Sequence, residues 1–324
     1  MIFKLFNTKH PFILILIFII DFVFSLFFYF NSNTTIGDAH IYKSVFNNFF
    51  FNLNYNYNLL SRILFLIIVF SQALYLSYLN KKHFFISERT FLPSILYLLI
   101  MSLNKNTQEF SGVILSNFFI FFIIDQLFSS YKKKNAITNF FNSGIFLAVA
   151  TLLYFDNVFF MIVIFIGFII IRQFYWREWA AGFVGFLSVF IIYFLLTFII
   201  FGNLDFNKYT YYFTKVISIV RSYKNIIFLS YIFLILFLAI INLIKKYGTK
   251  KISTRKYMLI FIWILLTNIV LFFTINFLDF RILFISFMPV SYLFTMYFIN
   301  LRSRIWQEIL FSILIFSYIA FQIF

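Results

Sequence analysis

The chain has no cysteine, three prolines, eight glycines and only 11% charged residues among its 324. Without cysteine there is no disulfide, no thiolate metal site and no cysteine nucleophile. A soluble domain of this length carries roughly a quarter of its residues charged. With less than half of that, the outer surface of this chain must face lipid. Scarce proline suits long uninterrupted helices. Barrel strands would alternate apolar and polar residues, whereas the apolar runs here are continuous over about 14 to 22 residues. There is no glycine-rich phosphate loop, no GxSxG elbow and no HExxH, so soluble-type nucleotide binding finds no support. The histidines, His10, His40 and His83, stand in separate connectors without metal-ligand spacing.

What remains is apolar and aromatic. Hydrophobic residues make up 63% of the chain, phenylalanine alone supplies 57 positions, and the mean hydropathy is +0.97. The net charge of +16 invites a nucleic-acid reading, but the basic residues punctuate the apolar runs as topology signals do. No nucleic-acid partner is expected, and the bilayer is the expected surrounding. The first run, from Pro11 to Phe30, is too long for the core of a cleaved signal and no small-residue cleavage site follows it. It reads as a retained first span.

Apolar spans run over about 11–31, 60–79, 91–104, 112–130, 139–154, 157–171, 180–201, 226–244, 257–276, 282–299 and 307–323. The expected fold is an all-α polytopic transmembrane domain of about eleven helices, occupying 1–324 as one unit. No linker divides the chain and no internal repeat is evident. The open choice is whether 139–171 is one long helix or two arms turning at Asp156-Asn157. With two arms, 18 of the 26 Lys and Arg fall on the N-terminal side of the membrane and 8 on the other; with one, the split is 13 to 13. The positive-inside rule selects two arms, a cytoplasmic N-terminus and a periplasmic C-terminus in a bacterial inner membrane.

Two external loops, about 32–59 and 202–225, are long enough to carry chemistry. In the first, Tyr42, Val45, Phe46, Phe49, Phe50 and Leu53 share one stripe at helical spacing, which predicts an amphipathic helix in the interface. Phe206, Tyr209, Phe213, Val216 and Val220 form a similar stripe in the second, beside Lys208 and Lys215.

Asp38, in Gly37-Asp38-Ala39-His40-Ile41-Tyr42, is either a catalytic carboxylate at the water–lipid boundary or the cap of the helix that follows. Arg281, with Pro289 eight residues on, is either a phosphate-holding fork or an interfacial anchor paired with Asp279. Asp21 sits in mid-span, where a carboxylate costs about 2.5–3.5 kcal/mol. Asp125 lies toward the end of the fourth span. For both, an ion pathway competes with a buried hydrogen bond to an amide such as Gln126 or Asn117. Trp176-Arg177-Glu178-Trp179 describes an interface anchor, with two Trp at headgroup level and an Arg/Glu pair.

The stretch Thr35-Ile36-Gly37-Asp38-Ala39-His40-Ile41-Tyr42, the segment from Gly144 through Thr151 to Arg172, and Arg281-Ile282-Leu283-Phe284 leading to Pro289 resemble the type-C (GT-C) glycosyltransferase superfamily. The resemblance implies a membrane enzyme of cell-envelope glycan assembly that takes its sugar from a polyprenyl-phosphate donor at the external face. It implies Asp38 as base with His40 beside it, and Arg281, Arg62, Tyr42, Lys208 and Lys215 as substrate-binding candidates. No cofactor is implied, although a divalent cation at Asp38 stays open. The chain departs from the pattern in lacking a second acid after Asp38, where Ala39 stands, and a basic residue at the 154–157 turn. Phe174-Tyr175-Trp176-Arg177-Glu178-Trp179 also resembles a family of bacterial inner-membrane proteins without assigned function. Two further readings stand beside the enzyme: a non-catalytic component of an envelope assembly, and a transporter or flippase using Asp21 and Asp125.

Overall fold

The computed structural model describes residues 3, 6, 11–31, 44–86, 90–102, 108–202, 223–274, 280–301 and 303–323. Among them there is no strand. Twelve α-helices follow one another: α1 Phe12–Asn31, α2 Asn47–Asn56, α3 Asn58–His83, α4 Leu92–Met101, α5 Gly112–Ser129, α6 Ile137–Leu153, α7 Phe160–Ile171, α8 Trp176–Phe201, α9 Tyr223–Lys246, α10 Ile252–Thr274, α11 Phe287–Asn300 and α12 Arg304–Ile323. Short 3-10 turns at Phe155–Phe159, Tyr247–Thr249 and Phe280–Ser286 join or extend them. The prolines account for the unbroken runs. Pro11 precedes α1, Pro93 is the second residue of α4 and Pro289 the third of α11, all places where a missing N–H removes no helical bond.

Among the described residues, six helices are long and apolar enough to cross a membrane: Asn58–His83, Gly112–Ser129, Trp176–Ile200, Ser230–Thr249, Ile252–Phe272 and Leu283–Asn300. Their burial differs sharply. The most apolar window of α8 is only 6% buried, and Val184, Leu187, Ile191, Leu195 and Phe198 point outward. An apolar helix in that setting has lipid as its natural solvent.

The two-arm reading of 139–171 is the one the structure adopts. The chain breaks at Tyr154–Phe159, where Asn157 donates its side-chain amide to the Ala150 carbonyl at 3.0 Å. Phe140, near the start of α6, stacks on Phe168, near the end of α7, with centroids 3.4 Å apart. A single helix would hold those rings about 42 Å apart at 1.5 Å per residue. The next helix, α8, runs parallel to α6, and glycine makes their close approach workable. A Cβ on Gly144 would strike the Gly182 carbonyl, and one on Gly185 the Phe141 carbonyl. Small residues are the usual solution where two apolar helices must touch backbone to backbone.

The expected span at 91–104 takes a different form. Helix α4 has ten residues, each of them buried. At about 15 Å it is half the hydrocarbon thickness. It serves as a central post, packed against α3 and α11. Polar side chains tie this centre together. Tyr97 donates to Gln72 at 2.7 Å, Gln72 donates to the Ile114 carbonyl at 2.7 Å, and Tyr292 donates to the Leu76 carbonyl at 2.6 Å. Away from water, each such bond also spares a polar group from going unsatisfied.

Candidate functional site

The ends of α5 define two poles. Lys132 to Lys134 follow its C-terminus, and this basic end also gathers the C-terminus of α3, the turn at 172–178 and the Lys245–Lys256 segment. The far end carries α2, the start of α3 and the turn at 154–159.

At the far end a polar cluster lies beneath α2. Asn54 donates to the Phe110 carbonyl at 3.1 Å, and Ser61 donates to the Asn54 side-chain oxygen. Ser61 in turn accepts from the Phe110 N–H at 2.9 Å. Asn54 and Ser61 are buried on the side of α2 that carries Phe50, whose ring meets Phe110 at 5.4 Å. Next to Ser61 in the chain, Arg62 is also buried. It donates from Nε to Asn58 at 3.1 Å and feels the opposite charge of Glu109. A buried guanidinium anchored at Nε by an amide is an oriented cation, so Arg62 is the sequence-derived candidate that the fold places beside this polar cluster.

A helix is present in the first loop, but it buries a different face from the one expected to lie in the interface. It runs from Asn47, buries Phe50 and Asn54, half-buries Leu53, and leaves Phe46 and Phe49 exposed. The stripe splits because the helix lies over α3 and α5 rather than flat on a uniform apolar surface. Val45 is held by its N–H on the Leu152 carbonyl at 3.2 Å, which fixes the approach to α2 against the end of α6.

Asp38, His40, Tyr42, Lys208 and Lys215 lie outside the described residues, as does Asp279. The backbone of Arg281 belongs to the 3-10 turn Phe280–Ser286, which packs against α5 and α10; its side chain lies outside what is described.

The carboxylates of Asp21 and Asp125 both have protein partners, though neither has the amides expected. Asp21 accepts from the Tyr318 hydroxyl of α12, with Ser102 as a second side-chain partner. Asp125 accepts from Lys82 Nζ at 2.7 and 2.8 Å, meets His83 Nε2 at 2.7 Å and lies 3.4 Å from the Tyr75 hydroxyl. The amide of Gln126 serves Asn139 instead, at 2.9 Å. The reason is directional: α3 and α5 run the same way, so the basic C-terminus of α3 arrives beside the last turn of α5. His83 is also walled by the rings of Phe85, Phe128 and Tyr257.

Glu178 pairs with Arg172 at 2.9 Å, not with its neighbour Arg177, which lies over the Trp176 ring. Adjacent helical residues do not face each other. Arg172 Nη1 further donates to the carbonyls of Ser130 at 3.1 Å and Lys133 at 2.7 Å, and Glu178 accepts the Ala136 N–H at 2.9 Å. One ion pair therefore closes the end of α5 and the start of α6 together, satisfying groups that helix ends leave open.

Among the described residues no group of three or more His, Asp or Glu side chains could hold a metal ion. No curated protein matches the chain, and no solved structure does. Residues 38–324 match the model of a family of unknown function, DUF6427, and the chain belongs to that family.

Proposed function

We propose that the protein crosses a bacterial inner membrane eleven times with the basic end in the cytoplasm. In this reading its far end transfers a glycosyl group from a polyprenyl-phosphate donor at the periplasmic face. The observation that carries the reading is the cluster under α2. A buried, oriented Arg62 stands next to Ser61 near the start of α3, against which α2 packs, and the chain reaches α2 from Asp38 within nine residues. A lipid-linked phosphate needs a fixed cation at the membrane boundary, and a base close by completes the minimum for transfer. The turn that carries Arg281 packs on the same helix α5 and would add a second cation.

Glu109 beside Arg62 favours a second reading, a non-catalytic member of an envelope assembly that keeps the fold without the reaction. The experiment that separates them is complementation of a deletion strain scored on its envelope glycans, with Asp38→Asn and Arg62→Gln tested at matched expression. Loss of the glycan in both variants, with unchanged melting in detergent, supports transfer. Full complementation by both removes the enzyme reading and leaves the assembly member.

A further inference from the structure

At the basic end, α9, α10 and α11 leave a cleft with about 300 Å³ of empty volume. Ala239, Leu243, Met258, Leu293, Met296 and Tyr297 form its walls, and Lys246, Lys250, Asn242 and Asn300 its mouth. Apolar inside and cationic at the rim, it matches one class of molecule in its own surroundings. Lys246 donates to the Asn300 carbonyl at 3.1 Å, which holds its ammonium at the rim. Lys250 stands close enough for Lys246 to act on it: burial first, and the Lys246 charge second, lower its pKa from the usual lysine range. Two cations pressed together favour an anion between them, and the stretch of chain that carries them supplies none. From Phe206 to Leu278 it contains no Asp or Glu, and among the described residues neither lysine forms an ion pair.

We infer that this cleft binds one anionic phospholipid, its phosphate between Lys246 and Lys250 and an acyl chain along the Leu243–Met296 wall. Basic pockets between helices at the cytoplasmic boundary are the recurring solution for such headgroups. The cleft is open to its surroundings and takes only part of an acyl chain, with the rest in the bilayer. The inference rests on the membrane-crossing reading above and not on glycosyl transfer, because the cleft and the Arg62 cluster lie at opposite ends.

The test is native mass spectrometry of the full chain, titrated with phosphatidylglycerol and, separately, phosphatidylcholine. One phosphatidylglycerol per chain is expected, with phosphatidylcholine at least about tenfold weaker. Lys246→Gln/Lys250→Gln should weaken the anionic lipid by roughly 10–30-fold, at about 1 kcal/mol per cation. Lys245→Gln/Lys251→Gln, which removes two exposed lysines outside the cleft, should leave it unchanged. Lys250→Gln alone retains the Lys246–Asn300 bond and should still show a several-fold loss, so a folding defect cannot imitate the result. Equal losses in the two double variants would overturn the site in favour of diffuse surface charge. Displacement by inorganic phosphate at equal concentration would overturn the lipid as occupant. Intact lipid binding beside full glycan complementation by Asp38→Asn and Arg62→Gln would leave this site standing and remove only the transfer reading.

Discussion

Arg172 and Glu178 meet at 2.9 Å with 7% and 6% of their side chains exposed, and between them they hold the ends of four helices. Removing one partner of such a buried pair strands the other charge, at a cost of about 3–5 kcal/mol. Arg172→Ala and Glu178→Ala should each lower thermal stability in detergent sharply. Arg177→Ala should change it little, because among the described residues Arg177 forms no ion pair and lies over Trp176. Equal effects at 172 and 177 would contradict the structure.

The α6–α8 contact gives a graded test. Gly144→Ala places a methyl on the Gly182 carbonyl and should cost about 1–3 kcal/mol by overpacking. Gly248→Ala meets nothing within 4 Å and should fall within about 0.5 kcal/mol of wild type. Comparing melting temperatures of the two variants checks it.

Tyr318→Phe removes the hydroxyl that answers Asp21 across 297 residues of sequence. We expect about 1–3 kcal/mol of destabilisation. Adding Asp21→Leu should restore most of that loss, since replacing both partners by apolar groups is close to neutral. Failure of the second substitution to rescue would mean that Asp21 has work beyond this bond, and would revive the transport reading.

Lys250 gives the pH dependence. Its pKa is lowered in the folded chain, so the unfolded chain binds this proton more tightly. Stability should therefore rise as pH climbs through the folded pKa toward the ordinary lysine value, and level off above it. Lys250→Gln should flatten that rise in a pH series of melts, and an unchanged slope would contradict the burial of this ammonium.

The native absence of cysteine makes orientation directly measurable. Single substitutions Tyr55→Cys, Lys134→Cys and Lys251→Cys place one thiol each at exposed positions on the two ends. In spheroplasts, an impermeant thiol reagent should label only the first, with the other two reacting after lysis. Labelling of Lys134→Cys from outside would reverse the topology.

These elements also show how far the sequence could be read. Run lengths and charge bias located the helical arms, and the bias alone chose the break that Asn157 and the Phe140–Phe168 stack now fix. The composition of α4 did not disclose that it is only ten residues long and wholly enclosed, because an apolar run looks the same facing lipid or protein. The partners of Asp21, Asp125 and Glu178 were out of reach for a different reason. Each depends on which helices run side by side, and a linear pattern carries the faces of single helices but not their neighbours. The triplet Lys81-Lys82-His83 was the signal for Asp125, legible only once α3 and α5 were known to be parallel.

Helix α4 has a consequence for how the protein is made. Its enclosing wall includes α11, which the ribosome completes about 200 residues after α4. At roughly 5–20 residues per second, that leaves the short post waiting some 10–40 seconds. A ten-residue segment cannot span the bilayer by itself during that interval. Its earlier neighbours α1, α3 and α5 must shelter it until the chain's last third arrives, so truncation before Phe287 should leave an insertion intermediate exposed to membrane proteases rather than a smaller stable protein.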